Sequence, residues 1–369
     1  MASQYSIPCI LMRGGTSKGP FFYAKDLPEN IKERDRLLLR LMGSPDRRQI
    51  DGIGGAHALT SKVGIVDICS TGQADLSFLF AQLQPDSDLV DTKPNCGNML
   101  AAVVPFALEK GLIQAQGPTT TVKVLTLNTG MVSEIQVQTP EGEISYEGDA
   151  AINGVPGTSA PIAINFLDTA GSVCSGLLPT GNPKDTITVH ADGLPPFTLD
   201  VTCIDNGMPL VIFKATDVGV SGLESVAELN ANTELKQRVE ALRLQISERM
   251  GLGDVSTKNY PKMTLIAPPE HGGAVTTRSF IPHVCHEAIG VLAAVTVGTA
   301  IKLPGTVCEG IARFEQAQGP VTLSVEHPTG EFSVTLDSDP ENPEIVTKAA
   351  LLRTARALMR GDVLVPHSN

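Results

Sequence analysis

The two halves of this chain carry the same sequence elements in the same order, and this duplication constrains the fold more than any other feature. Cys9 lies in an apolar strand pattern that is followed by a loop and a second strand, and Cys203 lies in the same pattern. A helix rich in Leu and Arg follows in each half. After it a lysine opens an apolar strand, Lys62 in the first half and Lys262 in the second. Repetition at this scale is typical of a duplicated folding unit.

Two further elements recur in the same order. Cys96 and Cys285 each follow a proline-containing loop and precede an apolar segment rich in alanine. A hairpin pattern of alternating apolar and polar residues then turns at Thr129-Gly in the first half and at Thr329-Gly in the second. Four elements in one order favour duplication over chance recurrence of common α/β patterns. On this alignment Cys285 is the counterpart of Cys96.

The duplication predicts an α+β fold of two pseudo-repeated units, residues 1–185 and 186–369. Each unit is expected to wrap a mostly antiparallel sheet around a central apolar helix, over about 97–110 in one and 286–301 in the other, because a helix that is apolar nearly all round must be buried. Hydrophobic residues form 42% of the 369-residue chain, enough for two cores. We expect the active site in the cleft between the units.

Composition excludes several classes of function. The formal net charge of −12 argues against a nucleic-acid partner, which would require a basic face. No apolar stretch is long enough to span a membrane, and the first residues do not resemble a signal peptide. The seven cysteines form no CxxC pair and the seven histidines no HExxH motif, so we expect no metal and a cytoplasmic protein with reduced thiols. The glycine-rich segments lack nucleotide-binding spacing, and no cofactor is expected.

Asn95-Cys96-Gly97-Asn98 is the most informative short segment, since it enters the predicted central helix. The unpaired N–H groups and positive dipole of a helix start favour a bound carboxylate, and they lower the pKa of a thiol placed there. Cys96 is therefore a candidate proton donor or acceptor, with Asn95, Gly97 and Asn98 as substrate-binding residues. The alternative is an inert cysteine at an ordinary helix start.

Lys62 is a second candidate for proton transfer, because an amine at the start of a core strand is costly to keep charged. A neutral lysine there could act as a general base. The alternative interpretation is an ion pair between Lys62 and a nearby carboxylate such as Asp51 or Asp67.

Candidate substrate-binding residues also lie in the loop that runs from Arg13 to Gly19, which combines cations, hydroxyl groups and glycines. Arg13, Thr16 and Ser17 could hold an anion, and Arg278 is a second candidate for gripping a carboxylate. Cys285 could pair with Cys96 as a second acid/base thiol, although a structural role is an equal alternative.

These segments together resemble the PrpF family of isomerases. The resemblance rests on motifs spread over nearly the whole chain: Met12-Arg-Gly-Gly-Thr-Ser-Lys-Gly19, Thr60-Ser61-Lys62, Asn95-Cys-Gly-Asn98 and Arg278-Ser-Phe-Ile-Pro-His283. It implies the diaminopimelate-epimerase-like fold and no cofactor. It also implies that Lys62 and Cys96 transfer protons, and that Ser61 belongs to the substrate-binding residues.

The resemblance implies a 1,3-proton shift on a small unsaturated di- or tricarboxylate, and within the family the 4-oxalomesaconate tautomerases are most similar. His57 is a departure, since the tautomerases are expected to carry Asp there. Aconitate, 2-methylaconitate or methylitaconate isomerisation is therefore kept as an alternative. Two further alternatives are a racemase or epimerase using Cys96 and Cys285, and a carboxylate-binding protein without catalysis. A homodimer is compatible with the sequence.

Overall fold

A computed structural model describes residues 4–93, 95–167, 169–314, 320–339 and 346–366. The chain divides into two compact units, the first formed by Met1–Leu167 with Leu352–Asn369 and the second by Asp168–Leu351. The helices are α1 (Ile31–Met42), α2 (Gly97–Leu100), α3 (Val103–Glu109), α4 (Val226–Ala231), α5 (Thr233–Arg249) and α6 (Val291–Lys302). No helix in the described ranges combines the length and apolarity needed to cross a bilayer.

The strands follow one another as β1 (Gln4–Gly14), β2 (Ser17–Tyr23), β3 (Lys62–Ile68), β4 (Leu76–Leu83), β5 (Val90–Asp91), β6 (Thr119–Thr126), β7 (Met131–Gln138), β8 (Ile162–Phe166), β9 (Asp185–Val189), β10 (Phe197–Asp205), β11 (Pro209–Lys214), β12 (Lys262–Ala267), β13 (Val275–Phe280), β14 (Val321–His327), β15 (Gly330–Ser338), β16 (Val346–Arg353) and β17 (Ala355–Pro366).

The sheet of the first unit runs in the order β17, β1, β2, β3, β4, β6, β7, β8, with the short β5 also paired to β4. The β2/β3 and β4/β6 pairs are parallel, and the other pairs are antiparallel. The sheet is therefore mostly antiparallel, as predicted.

The sheet of the second unit repeats this pattern in the order β9, β10, β11, β12, β13, β14, β15, β16. Its parallel pairs are β11/β12 and β13/β14, at the positions that correspond to the parallel pairs of the first unit. Lys62 opens β3 and Lys262 opens the corresponding β12, while Cys9 and Cys203 lie in the corresponding β1 and β10. The duplicated α+β fold is thus confirmed.

One apolar element is buried against the inner face of each sheet. In the first unit α2 and α3 bury every residue from Met99 to Ala107, and in the second α6 buries residues from Ala293 to Ile301. The predicted helix over 97–110 is wrong in one respect, since it is two short helices with a break at Ala101 and Ala102. Pro105 explains the break: it has no N–H to donate to the carbonyl of Ala101.

The predicted start of the second central helix at residue 286 is also wrong. Here α6 begins at Val291, with Gly290 in the extended conformation before it. The residues upstream form a separate turn, in which the N–H of Ala288 donates to Nδ1 of His286 at 2.8 Å. This hydrogen bond to the His286 side chain stabilises the local turn.

A longer helix covers the outer face of each sheet. Leu37, Leu38 and Leu41 of α1 pack into a core with residues of β1, β2, β3 and β17, and Leu235, Val239 and Leu242 of α5 pack into the corresponding core of the second unit. Both helices lie close to where the sequence pattern predicts them. Each unit is therefore a sheet with one helical element on either face.

The division of the chain differs from the one predicted at residues 185 and 186. The first part of the first unit ends at Leu167, just after β8. The C-terminal segment from Leu352 onward also belongs to this unit. The reason is that β17 pairs antiparallel with β1 from Gln4 to Gly14, so the C-terminal strand completes the sheet of the N-terminal unit.

Arg243 of α5 has a structural role that can be tested. Its side chain is fully buried, pairs with Glu240 and donates to the carbonyls of Val255, Lys258 and Tyr260 at 2.9–3.3 Å. We expect Arg243→Met to destabilise the protein by about 3 kcal/mol, because buried carbonyls and Glu240 lose their partner. Urea unfolding of the full chain would measure this as a lower midpoint.

Arg238→Met is the matched control, because Arg238 forms a partly exposed ion pair with Glu234 on the same helix. Its loss should cost about 1 kcal/mol or less. Equal midpoints for the two variants would contradict the structural role of Arg243.

Candidate active site

Three glycines of the hairpin formed by β1 and β2 lie in close contact with two of the predicted site residues, Lys62 and Asn98. A Cβ at Gly14 would overlap the carbonyl oxygen of Asn98, and one at Gly15, whose φ is +52°, would overlap the Asn98 side chain. A Cβ at Gly19 would overlap the carbonyl oxygen of Lys62. Only glycine permits this approach. The glycines bring the Arg13–Gly19 loop against both Lys62 and the start of α2.

Lys62 lies at the beginning of β3 with only 8% of its surface exposed. Its Nζ donates to Oε1 of Gln82 at 2.8 Å and lies 3.7 Å from Sγ of Cys96, within reach of a hydrogen bond to sulfur. The Phe80 ring lies beneath it, with Nζ 5.0 Å from the ring centre. The structure therefore brings the two predicted proton-transfer residues together.

The alternative of an ion pair between Lys62 and a carboxylate is not observed. Within the described ranges the hydrogen-bond partners of Lys62 Nζ are Gln82 and Cys96, and neither Asp51 nor Asp67 pairs with it. The amine thus has a neutral acceptor on one side and a thiol on the other.

Cys96 precedes the first turn of α2 in an extended conformation, as predicted for the start of the central helix. Its side chain caps none of the first-turn N–H groups, and its own N–H donates to Oδ1 of Asn95 at 2.8 Å. The N–H groups of Gly97 and Asn98 belong to that first turn. Asn95 therefore shapes the loop, while the amides of Gly97 and Asn98 are suited to an anion.

The side chain of Asn98 is fixed from two sides. Its Nδ2 donates to Oγ1 of Thr16 at 2.9 Å, and Nε of the buried Arg353 donates to its Oδ1 at 3.0 Å. Because the Thr16 hydroxyl accepts here, its own hydrogen is directed elsewhere. Asn98 thus orients Thr16, and Arg353 orients Asn98.

Arg13 is held in place by its surroundings. Its Nη1 donates to the carbonyls of Gly15 and Thr354 and to Oγ1 of Thr354, and its Nη2 donates to Oγ of Ser159 at 3.3 Å. Burial, with a smaller contribution from repulsion by Arg356, lowers the pKa of Arg13. The site therefore contains a fixed, partly desolvated cation.

The two predicted serines have different roles. Oγ of Ser61 donates to Oε1 of the buried Gln49 at 2.8 Å, and the same oxygen accepts from the N–H of Ala56. Ser61 and Gln49 therefore organise the loop before Lys62. By contrast Oγ of Ser17 is buried without a hydrogen-bond partner in the part of the chain that the structure describes. A buried hydroxyl without a partner is costly, so Ser17 is the better candidate for contact with a ligand.

Arg278 and Cys285 lie in the second unit. Arg278 is buried in β13, where its guanidinium donates to the carbonyls of Glu224 and Thr277, and burial lowers its pKa. Cys285 is buried, and burial raises the pKa of its thiol to about 11. Its N–H donates to Oδ1 of Asn230.

The predicted equivalence of Cys285 and Cys96 is wrong in structural terms. Cys96 occupies the position just before the first turn of α2, whereas Gly290 occupies that position before α6. A Cβ placed on Gly290 would lie 3.4 Å from Nζ of Lys262. The second unit thus keeps the lysine beside the helix start, while a glycine replaces the cysteine.

The structure gathers nine of the predicted site residues in the first unit: Arg13, Thr16, Ser17, Ser61, Lys62, Asn95, Cys96, Gly97 and Asn98. Sequence reasoning missed four contributors to this site, namely Gln49, Gln82, Arg353 and Thr354. Gln82 could have been found by pairing the two neighbouring strand patterns in antiparallel register, which places it opposite Lys62. Arg353 and Thr354 gave no such signal, because they come from the far end of the chain.

Comparison with known proteins shows similarity over the whole length. A family model described as PrpF protein matches residues 4–366. The chain is 52% identical over 360 residues to the (4E)-oxalomesaconate Delta-isomerase of Novosphingobium sp. (strain KA1), which covers 98% of both chains. It is 49% identical over 362 residues to the 4-oxalomesaconate tautomerase of Pseudomonas putida, which covers 98% of this chain and 97% of the relative.

A solved structure agrees with this similarity. The crystal structure of a methylitaconate-delta-isomerase superposes with a TM-score of 0.85 at 34% sequence identity, covering 99% of this chain and 97% of that chain. A 3-methylitaconate isomerase of Eubacterium barkeri is likewise 34% identical over an alignment of 385 positions, gaps included, that covers 99% of this chain and 98% of the relative.

The close approach at Gly19 predicts a large effect of a single methyl group. We expect Gly19→Ala to lower the free energy of unfolding by about 1–3 kcal/mol, because the added Cβ overlaps a backbone oxygen that cannot move without shifting β3. Gly361→Ala in β17 is the control, since a Cβ there meets no neighbouring atom and should change stability by less than about 0.5 kcal/mol. Urea unfolding would compare the two, and equal midpoints would contradict the close approach.

The raised pKa of Cys285 predicts a slow reaction with iodoacetamide. Burial disfavours the thiolate, so near pH 8 only about one molecule in a thousand carries it, and that fraction rises as the pH approaches the pKa of about 11. The hydroxyl of Thr71 lowers the pKa of Cys69, which serves as the reference. We expect Cys285 to react at least about 100-fold more slowly than Cys69 at pH 8.

Mass spectrometry of alkylated peptides resolves the two sites. Modification of Cys285 at the rate of Cys69 would favour the two-thiol racemase or epimerase. A rate for Cys285 that shows no plateau near neutral pH and keeps rising toward its raised pKa would instead support a structural thiol.

Proposed function

The chain belongs to the PrpF family of isomerases, and from that premise we propose that it catalyses a 1,3-proton shift on a small unsaturated di- or tricarboxylate, with 4-oxalomesaconate as the substrate. The observation that carries the proposal is the distance of 3.7 Å between Nζ of Lys62 and Sγ of Cys96. Two proton-exchanging groups side by side are what a proton shift between two carbon atoms requires.

The proposed reaction begins with removal of a proton from a carbon next to the conjugated system of the substrate. Either Lys62 as the free amine or Cys96 as the thiolate takes this proton. The electron pair of the broken C–H bond forms a new double bond, and the existing double bond moves toward the carbonyl as a dienolate. The other residue then gives a proton to a carbon two positions away, and the carbonyl forms again. Atoms and charge balance within the substrate and the pair.

We assign stabilisation of the dienolate to donors at the start of α2 and in the Arg13–Gly19 loop. The N–H groups of Gly97 and Asn98 are first-turn amides that Cys96 does not cap, and the Thr16 hydroxyl is oriented by Asn98. Donors fixed before the reaction stabilise developing charge without reorganisation. Ser17, whose buried hydroxyl has no partner in the described ranges, completes this set of donors.

Binding of the substrate carboxylates is assigned to the same part of the first unit. Arg13 supplies a cation held by Thr354 and Ser159. A fixed guanidinium attracts a carboxylate at a smaller entropic cost than a mobile one. Arg278 and Cys285 stay predictions from the sequence, as do a homodimer and a cytoplasmic location.

The choice of 4-oxalomesaconate rests on the two relatives of about 50% identity that are named for this compound. The departure at His57 is compatible with it. Nδ1 of His57 accepts a hydrogen bond from the N–H of Leu59 at 3.1 Å, which caps the short turn before Ser61. Asp at this position would cap the same turn with its carboxylate. The substitution therefore preserves the local backbone.

Methylitaconate or 2-methylaconitate isomerisation is the second candidate, favoured by the superposition on a methylitaconate-delta-isomerase. A panel of oxalomesaconate, aconitate, 2-methylaconitate and methylitaconate, followed by NMR in deuterated water, separates the candidates. We expect turnover of oxalomesaconate with a kcat/KM at least about tenfold above that of the others. A higher kcat/KM for a methylated acid would replace the proposed substrate and keep the reaction class.

The proposed roles of Lys62 and Cys96 predict the behaviour of two variants. We expect Lys62→Ala and Cys96→Ala each to lower kcat by about 10²–10⁴-fold, because each removes one partner in proton transfer. KM should change much less, since neither residue is assigned to hold a carboxylate. Lys25→Ala and Cys69→Ala are matched controls from exposed or partly exposed positions of the same unit.

Solvent deuterium distinguishes an enzyme from a protein that only binds carboxylates. We expect wild-type protein to introduce deuterium into the unsaturated acid and both catalytic variants to introduce almost none. Near-full turnover by either variant would remove that residue from the mechanism. Binding without any deuterium uptake by the wild type would contradict the enzymatic proposal.

A further inference from the structure

Gln82 contacts the amine of Lys62 from the neighbouring strand. Lys62 opens β3 and Gln82 lies directly opposite it in the antiparallel β4. Side chains at opposed positions point to the same face of a sheet. Here the pair forms a hydrogen bond of 2.8 Å from Nζ of Lys62 to Oε1 of Gln82.

The orientation of the Gln82 amide follows from its other contacts. Its Nε2 lies 3.0–3.2 Å from the carbonyl oxygens of Ala58, Ser61 and Leu83. Carbonyl oxygens only accept, so the nitrogen must face them. A flipped amide would set its oxygen against three acceptors. Oε1 is therefore directed toward Lys62 by the backbone itself.

The neutrality of Gln82 also matters. A carboxylate at this position would stabilise the ammonium form of Lys62 and oppose release of its proton. An amide oxygen fixes the position of the amine through a hydrogen bond but brings no charge. Cys96 is the second contact of Nζ. The amine is therefore held between the Gln82 amide, which cannot take its proton, and a thiol that can exchange one.

We infer that Gln82 is a positioning residue for proton transfer: it holds Nζ of Lys62 beside Cys96 and, being uncharged, leaves the proton of the amine transferable. Two of the carbonyls that orient Gln82, those of Ala58 and Ser61, belong to the turn that leads into Lys62. The amide therefore sets both the backbone before Lys62 and the end of its side chain. The consequence for turnover rests on the proposed function.

The first experiment does not require a substrate. Acetylation of Lys62 by acetic anhydride, followed by mass spectrometry across a pH series, reports the pH midpoint at which the amine becomes reactive. In Gln82→Met the ammonium loses its acceptor, so we expect the midpoint to fall by about one pH unit. In Gln82→Glu it gains a negative partner, so we expect the midpoint to rise by about 1–3 units.

Gln49→Met is the matched control, because Gln49 organises the same loop through Ala56 and Ser61 without touching Lys62. Its midpoint for Lys62 acetylation should equal that of the wild type. Shifts of opposite sign in the two Gln82 variants cannot arise from a loosened loop. They therefore separate the positioning role from a structural one, even where one Gln82 variant folds poorly.

The second experiment measures turnover of oxalomesaconate. We expect Gln82→Met to lower kcat at least about tenfold with a KM within about threefold of the wild type, since proton transfer and not binding is affected. Unchanged acetylation midpoints in both Gln82 variants, in folded protein, would overturn the inference. A wild type that fails to turn over oxalomesaconate would remove the proposed substrate but leave the acetylation result as a test of Gln82.

Discussion

The close packing of one hairpin against two backbone segments is the constraint on which the rest of the site depends. Gly14 and Gly15 lie against Asn98, and Gly19 lies against the backbone of Lys62. These contacts fix the Arg13–Gly19 loop relative to the start of α2 and to β3 at once. The Lys62–Cys96 distance, the orientation of Thr16 and the placement of Arg13 all follow from that fixed geometry. Since the contacts at Gly14 and Gly19 are with backbone atoms, a neighbouring side chain cannot relieve them by changing rotamer.

The duplicated fold shows how one scaffold supports unequal chemistry. Both units keep the order of the strands and their parallel or antiparallel pairing. Both also place a lysine at the start of a corresponding strand, β3 in one unit and β12 in the other. The residue directly before the central helix differs, with Cys96 in one unit and Gly290 in the other. Strand order is maintained by apolar packing of many residues, whereas one residue determines whether a thiol is present.

Much of the fold could be predicted from the sequence, because duplication and apolar patterning extend over many residues. Lys62 and Cys96 could be singled out because their short motifs lie at element boundaries, and the structure places them next to each other. The sequence could not show that β17 returns to pair with β1, since strand pairing between the ends of a chain leaves no local pattern. Alignment by residue type matched Cys285 with Cys96. In the structure the residue that corresponds to Cys96, directly before the central helix, is Gly290. Gln82 was missed because a glutamine in an alternating strand looks like an ordinary polar position.

Local charge explains how an acidic chain provides for the polyanionic substrate that we propose. The net charge of −12 is spread over the whole protein, whereas Arg13, Arg353 and Arg356 lie close together beside the first unit's site. Arg13 donates to backbone and hydroxyl oxygens, so these neutral acceptors hold its guanidinium group without cancelling its charge. The same principle operates at Lys62, where a neutral amide takes the position a carboxylate could occupy. Neutral acceptors leave the positive charge of Arg13 available to an anion and, at Lys62, hold the amine beside the Cys96 thiol without adding a charge.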